Sequence, residues 1–229
     1  MQRDISSMIS FKEIQATTAE KAGGAAALEA RMPEIKQADE LRSISADRYF
    51  SEMSFRIFSS GLNTAMVKGK WPAFEDAFHG FIPAKVAFMS EDDIASLMEN
   101  GAIIRHLGKI RATHHNAAAM LEVEKQYGSF GAYVADWPRE DIAGLYADLT
   151  KRFKQLGGNS GPYFLRMMGK DGYILTKDVI SALNQLGVAE GKLTSKKDQA
   201  IVQEAFNRWH AESNAPYAYI SRTLAAWTG

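Results

Sequence analysis

The residues best suited to chemistry lie in one stretch of this chain, between positions 151 and 188. A basic, helix-forming run leads into a glycine-containing turn at residues 155–158, and a second apolar helix is predicted from about Asn159. A glycine turn between two helices leaves backbone N–H groups facing outward, and the helix dipole adds to their attraction for phosphate. The pattern therefore predicts a site for a phosphate backbone such as that of DNA.

Asp178 is the candidate catalytic residue of this stretch. It follows the second predicted helix and stands where a third one begins, a position that keeps a carboxylate ionised. A carboxylate held near DNA is costly unless it stabilises positive charge, such as the oxocarbenium ion formed when an N-glycosidic bond breaks. The same position also suits a helix N-cap, so both interpretations stay open here.

These residues resemble the helix-hairpin-helix superfamily of DNA glycosylases, whose turn is typically Pro-Gly-hydrophobic-Gly and is followed by an essential Asp. Gln155 replaces the first turn glycine of that motif. Asn159 stands where bifunctional members carry a nucleophilic Lys, so the resemblance implies a monofunctional enzyme that uses water. It also implies that the DNA backbone is bound by Lys154, Gln155, Leu156, Gly157, Gly158, Asn159 and Ser160.

Two blocks upstream carry a more specific pattern. The matching residues are Phe74, Ala77, Phe78, Gly80, Phe81, Pro83, Val86 and Ala87 in the first block, and Ile103, Ile104, Arg105, Lys109, Ile110, Asn116 and Ala117 in the second. They resemble the DNA-3-methyladenine glycosylase I family, and with the hairpin the resemblance covers residues 47–188. Of the family's Gln-Ala-Gly-Leu-Ser-Trp segment this chain keeps Gly61 and Leu62, whereas Ser59 replaces the Gln and Thr64 replaces the Trp.

The resemblance implies base flipping, in which a wedge enters the duplex and the damaged nucleotide rotates into a cleft between two lobes. The turn at Gly61 and Leu62 is expected at the wedge. The base pocket or wedge is expected to comprise Tyr49, Glu52, Phe55, Phe58, Gly61 and Leu62. The three aromatic residues fall within a helical run, which by itself favours the protein core over a pocket wall.

Composition excludes several classes of protein. Lys plus Arg and Asp plus Glu both number 27, so the zero net charge argues against indiscriminate coating of nucleic acid but permits one basic face. Without Cys, the chain has no disulfide, thiolate nucleophile, iron–sulfur cluster or Cys-ligated zinc. His114 and His115 lack a further ligand at metal-binding spacing, so neither a metal nor a cofactor is expected. No apolar run spans a membrane and no signal-peptide pattern is present, which predicts a cytoplasmic protein without membrane contact.

Helical spacing of apolar residues, without a strand pattern, predicts an all-α protein with about ten helices. With the resemblance, this becomes a two-lobed helix-hairpin-helix DNA glycosylase fold. Residues 1–46 are expected to form an N-terminal helical segment and residues 47–229 the glycosylase-like domain. Within that domain the hairpin is expected at 151–165 and the acid-bearing loop and helix at 172–187. A turn is expected to end at Pro72.

Two functions follow from these observations. The first is a monomeric, monofunctional glycosylase that excises alkylated, 3-methyladenine-like bases from damaged double-stranded DNA and buries Asp178 at the edge of an aromatic cleft. The alternative is a non-catalytic helix-hairpin-helix DNA-binding protein derived from a glycosylase. Loss of the family's Gln and Trp favours the alternative, whereas retention of Asp178 and the hairpin favours the enzyme.

Overall fold

The computed structural model describes residues 8–228, and every regular element in them is helical. Two short 3₁₀ turns, His79–Phe81 and Arg139–Asp141, accompany the α-helices. The α-helices are α1 (Phe11–Ala22), α2 (Ala25–Glu29), α3 (Ala38–Ser43), α4 (Ala46–Ser59), α5 (Thr64–Ala77), α6 (Pro83–Ala87), α7 (Glu91–Glu99), α8 (Leu107–Tyr127), α9 (Phe130–Asp136), α10 (Ile142–Arg152), α11 (Ser160–Met168), α12 (Lys177–Gln185), α13 (Lys196–Ser213) and α14 (Tyr217–Trp227).

The all-α prediction is confirmed by this architecture. The described residues form fourteen α-helices, more than the ten expected, and three of them, α2, α3 and α6, contain only five or six residues each. None of the helices in residues 8–228 has the length and apolar character that a membrane span requires.

The chain forms two compact units, each assembled from separated segments. Unit 1 comprises the residues up to Ile35, the segment Pro138–Gly144 and the residues from Asp171 onward, whereas unit 2 comprises Lys36–Trp137 and Leu145–Lys170. The hairpin therefore belongs to unit 2 and Asp178 to unit 1. A division into residues 1–46 and 47–229 stays a prediction.

The core of unit 2 is rich in stacked aromatic rings. Trp71 lies parallel to Phe74, with 4.9 Å between ring centroids, and parallel to Phe81 at 5.2 Å. This stacking explains why α5 runs on through Pro72, where the sequence predicted a turn. Aromatic packing outweighs the hydrogen bond that proline removes from the helix, so the turn prediction is wrong.

Unit 1 joins the first described helix to the last two. In α1, Phe11 and Ile14 are buried. The Nε1 atom of Trp209, in α13, donates to the carbonyl of Ile9 at 3.0 Å. These contacts tie the N-terminal segment into the core of unit 1.

Asp171 is the central acid of unit 1, and its carboxylate is buried. It accepts hydrogen bonds from the backbone N–H groups of Tyr217 at 3.2 Å and Ala218 at 2.8 Å, at the start of α14. The guanidinium of Arg139 lies 3.2 Å from the same carboxylate. Asp171 therefore satisfies two buried backbone donors at a helix N-terminus and has a structural role.

Candidate functional site

The predicted hairpin, residues 151–165, covers the end of α10, the seven-residue turn after it and the first part of α11. Two residues of this turn have left-handed backbones, Gln155 with φ of 62° and Gly158 with φ of 59°. Glycine adopts this conformation without strain, whereas a residue with a Cβ does not. The backbone at position 155 thus keeps the shape for which the related motif uses glycine.

One apolar side chain anchors the turn and leaves its tip open to solvent. Leu156 is fully buried, and its carbonyl accepts from the N–H of Gly161 at 3.2 Å. The carbonyl of Gly157 accepts from the N–H of Ser160, also at 3.2 Å. Of the predicted DNA-contacting residues, Lys154, Gln155, Gly157 and Gly158 are exposed, and Asn159 and Ser160 are half-buried. The glycine backbone is therefore accessible to a phosphate group.

Helix α8 fixes this turn from one side. The side chain of Asn116 donates from Nδ2 to the carbonyl of Lys154 at 3.1 Å and accepts at Oδ1 from its N–H at 2.7 Å. The Nε2 atom of Gln155 donates to the carbonyl of Gly108, in the first turn of α8, at 3.0 Å. A single buried amide thus holds both backbone groups of Lys154, so the turn keeps its shape before any ligand arrives.

The left-handed backbone at Gln155 leads to a stability prediction. Gln155→Ala and Gln155→Gly both remove the hydrogen bond to Gly108, but only Ala keeps a Cβ in the strained conformation. We expect the Gly variant to be more stable than the Ala variant by about 1 kcal/mol. Urea unfolding of both variants measures the difference. Equal stabilities would show that the turn relaxes to another backbone conformation.

The predicted wedge residues lie in an exposed turn between α4 and α5. Gly61 has φ of 74°, and apart from its two chain neighbours no heavy atom lies within 4 Å of the point where a Cβ would stand. Leu62 next to it is 39% exposed. The Oδ1 atom of Asn63 ends the turn by accepting hydrogen bonds from the backbone N–H groups of Ala65 at 2.9 Å and Met66 at 3.1 Å. The turn therefore presents an apolar side chain on a rigid base, a geometry suited to insertion between bases.

Lys109, in α8, holds the wedge turn through a buried side chain. Its Nζ donates to the carbonyls of Phe58 at 3.0 Å and Ser60 at 2.6 Å, at the C-terminal end of α4. Carbonyls at a helix C-terminus lack intrahelical partners and carry partial negative charge. Burial lowers the pKa of Lys109. One helix, α8, therefore positions both the hairpin turn and the wedge turn.

The three aromatic residues predicted for the base pocket belong to the core instead. Tyr49 is fully buried, and its hydroxyl donates to the carbonyl of Leu41 at 2.8 Å. Phe55 packs edge-on against Trp71 at 5.1 Å, and Phe58 packs against the same indole at 6.5 Å. These contacts correct the pocket assignment of Tyr49, Phe55 and Phe58, because rings that fill the interior are not accessible to a base.

Glu52 is the remaining predicted pocket residue, and it is half-buried. Its Oε1 atom is buried without a hydrogen-bond partner among the described residues. Burial raises the pKa of Glu52, and the positive charge of Arg56, one turn later in α4, opposes that rise. The guanidinium of Arg56 lies over the ring of Tyr163, 4.5 Å from its centroid. Sequence reasoning did not single out Arg56 or Tyr163.

A raised pKa at Glu52 makes the stability of the protein pH-dependent. Below about pH 4 the carboxyl group is protonated in both the folded and the unfolded state, so its ionisation does not lower the free energy of unfolding. As the pH rises, the unfolded state ionises first and stability falls through the folded pKa. Glu52→Gln is therefore expected to be more stabilising, relative to wild type, at about pH 8 than at about pH 4. Urea unfolding at both pH values measures this, and a pH-independent difference would contradict it.

Asp178 is exposed and occupies the second position of α12. The N-cap of that helix is Thr176, whose hydroxyl accepts from the N–H of Val179 at 3.2 Å. The N-cap interpretation of Asp178 is therefore wrong. If the chain is an enzyme, Asp178 was expected to be buried at the edge of a cleft, but its carboxylate is exposed. Its catalytic role stays a prediction.

Sequence comparison connects the central part of the chain with known proteins. The methyladenine glycosylase family matches residues 41–153. DNA-3-methyladenine glycosylase 1 of Escherichia coli (strain K12) is 40% identical over 75 residues, which are 33% of this chain and 40% of that protein. DNA-3-methyladenine glycosylase of Haemophilus influenzae is 33% identical over 89 residues, 39% of this chain and 48% of that protein. The chain thus spans less than half the length of these curated relatives.

Structural comparison extends beyond this segment. A variant of 3-methyladenine DNA glycosylase I from Staphylococcus aureus matches with a TM-score of 0.50 and 22% identity, covering 69% of this chain and 90% of that one. The 8-oxoguanine glycosylase/lyase of Methanocaldococcus jannaschii, solved with DNA containing 8-oxoguanine, matches with a TM-score of 0.50 and 13% identity, covering 94% and 95%. At these identities the likeness establishes the fold alone. The chain therefore has the all-α fold of DNA glycosylases, and its segment of residues 41–153 is similar in sequence to the methyladenine glycosylase family.

Proposed function

We propose that the chain is a monofunctional DNA glycosylase that hydrolyses the N-glycosidic bond of an alkylated base. The observation that carries the proposal is the preorganised pair of turns: α8 holds a glycine-tipped hairpin through Asn116 and an apolar-tipped turn through Lys109. Base flipping requires a site that binds the phosphate backbone and a wedge that enters the duplex, and α8 holds a candidate for each. Both curated relatives are named DNA-3-methyladenine glycosylases, which makes 3-methyladenine the first base to test.

Damaged double-stranded DNA is the partner in this proposal. The N–H groups of Gly157 and Gly158 face a phosphate, and the exposed side chains of Lys151 and Lys154 add positive charge beside them. Lys170, just after α11, is buried and donates to the carbonyls of Ala135 and Trp137, so it adds no accessible charge to this turn. The proposed phosphate-binding site therefore consists of the turn, Lys151 and Lys154.

The chemical step follows from the side chains available. Leu62 fills the space of the displaced nucleotide, and the C1′–N bond of that nucleotide breaks as the base leaves. Asn159 has no amine with which to form a Schiff base, so a water oxygen adds to C1′. The proton that this water loses passes to the leaving base when that base was uncharged in DNA, and to solvent when the base was a cation. Asp178 stabilises the oxocarbenium charge or orients this water.

Release of free base from alkylated duplex DNA tests the proposal. The full chain is incubated with duplexes that carry 3-methyladenine or another alkylated base, and the free base and the abasic strand are measured. DNA affinity is measured on the same duplexes. Release above the spontaneous rate supports the glycosylase. Intact DNA binding without release of any base in the panel would refute it.

A second candidate function is a DNA-binding protein without excision. The observation that favours it is the closed aromatic core, since Tyr49, Phe55 and Phe58 of α4 pack in the protein interior rather than line a pocket. Binding without base release in the same assay is the outcome that this candidate predicts.

A further inference from the structure

The first turn of α5 extends the apolar tip of the wedge turn. Every residue from Gly61 to Met66 is exposed, and two of them are large and apolar, Leu62 at 39% and Met66 at 46% exposure. Asn63 is the N-cap of α5, and its Oδ1 atom accepts from the N–H of Met66 at 3.1 Å. Residues three apart at the start of a helix lie on one face. Met66 therefore lies beside Asn63, next to Leu62.

An exposed methionine is an unusual residue at this position of a helix. Met66 is the third residue of α5, where a Glu, Gln or Asp side chain can bond back to the backbone of the N-cap residue and stabilise the helix start. Four other helices of this chain have an acid there that makes this bond, namely Glu13 in α1, Glu40 in α3, Asp93 in α7 and Asp198 in α13. The apolar side chain of Met66 cannot make it. Its exposure on the wedge turn indicates a role in binding instead.

The surroundings of Met66 favour DNA as the bound molecule. No acidic residue lies between positions 61 and 74, and Lys68, two residues after Met66, is exposed. The local charge is therefore positive, as contact with phosphates requires. A thioether sulfur makes favourable contacts with aromatic rings, and an unbranched side chain adapts to irregular gaps. Met66 is thus suited to pack against a base beside the gap that Leu62 fills.

We infer that Met66 is the second residue of the wedge and that its sulfur is an oxidation site at which a peroxide stops base flipping. The inference rests on the proposed function. A peroxide transfers one oxygen atom to the sulfur, which is oxidised to a sulfoxide, and hydrogen peroxide is thereby reduced to water. The sulfoxide is polar and finds no hydrogen-bond donor between stacked bases. The oxidised wedge therefore no longer enters the duplex.

Exposure makes Met66 one of two methionines most open to a peroxide. Among the methionines in residues 8–228, only Met66 and Met167 are exposed, at 46% and 47%. Met167 lies near the end of α11, outside both the wedge turn and the hairpin turn. It therefore provides a control with the same chemistry and the same exposure.

The experiment compares base excision before and after treatment with hydrogen peroxide. The full chain is treated, the peroxide is removed, and release of 3-methyladenine and flipping of the base, reported by 2-aminopurine, are measured on duplex DNA. We expect the treated wild type to lose about tenfold in both. Its DNA affinity is expected to change little, because residues 151–165 of the hairpin contain no methionine. Mass spectrometry identifies the oxidised methionines, and a methionine sulfoxide reductase is expected to restore flipping.

Three variants locate the effect. Met66→Leu has no sulfur at this position, and its rate after treatment is expected to equal its own rate before treatment. Met167→Leu removes the other exposed sulfur and is expected to lose flipping as the wild type does. Met66→Gln imitates the polar sulfoxide with a side chain that suits the third position of a helix. Without any treatment it is expected to flip bases about tenfold more slowly than Met66→Leu, with no loss of thermal stability.

The outcomes separate the inference from the proposed function. If the untreated wild type binds DNA but releases no base of the panel, the proposed function and the inference are overturned together. If the untreated wild type releases base, a loss after treatment that Met66→Leu does not prevent overturns the inference alone. Full flipping by protein that carries the sulfoxide at Met66 does the same. A loss that requires Met66, and that the reductase reverses, supports the inference.

Discussion

Asp178→Asn is expected to lower the rate of base excision by about 10²–10³-fold while leaving the free energy of unfolding nearly unchanged. The amide keeps the size of the side chain but removes the charge that would stabilise an oxocarbenium ion. The carboxylate of Asp178 is not needed for stability, because it is exposed and Thr176 is the N-cap of α12. Single-turnover release of free base and urea unfolding measure the two quantities.

Asp171→Asn provides the matched control, since it makes the same chemical change in the same unit. Asp171 is buried, caps α14 and contacts Arg139. Its amide variant is expected to lose about 1–3 kcal/mol of stability and to keep its activity per folded molecule. Full activity of Asp178→Asn would remove that residue from the mechanism. Loss of activity in well-folded Asp171→Asn would instead make Asp171 the candidate acid.

Lys109→Met is expected to lower base excision by about 10–100-fold while changing DNA affinity little. Removal of the ammonium group frees the carbonyls of Phe58 and Ser60, so the wedge turn shifts while the hairpin keeps its own clamp at Asn116. The buried carbonyls left unpaired cost about 1–3 kcal/mol of stability. Fluorescence of 2-aminopurine beside the lesion reports flipping separately from binding.

Lys70→Met is the control for this prediction. Lys70 also ties a helix to a backbone carbonyl, donating to Ala102 at 3.0 Å, but it does not contact the wedge turn. It is expected to lose stability without losing base flipping. If both variants lost excision to the same extent, the effect would come from reduced stability and Lys109 would not be a positioning residue.

The hairpin and the long helices were predictable because local signals determine them. Glycine marks the turn, and apolar periodicity marks the helices on either side of it. Gln155 was recognised as the departure from the related motif. Its left-handed backbone shows that the turn is imposed by Leu156 and Asn116 rather than by glycine alone.

The roles of individual side chains were harder to predict. Lys109 and Asn116 both lie in the matching sequence block, but their partners at Ser60 and Lys154 are far away in the chain. Apolar periodicity shows which face of a helix is buried, but it does not show which residues that face contacts. For the same reason, Tyr49 suited either a pocket or the core until its neighbours were known. Thr176 and Asp178 are two positions apart in the chain. A helix start predicted from sequence is uncertain by about this much, so the sequence did not show which of the two is the N-cap.

The interleaved segments of unit 1 also determine when each part of the chain can fold during synthesis. All residues of unit 2 have been made once Lys170 has been added, so this core can close while α12, α13 and α14 are still missing. The helix α1, made before any residue of unit 2, packs on α13 and α14, with a hydrogen bond from Trp209 to Ile9. Helix α1 therefore lacks its packing partners α13 and α14 until they have been synthesised, and the apolar face that they cover stays exposed until then.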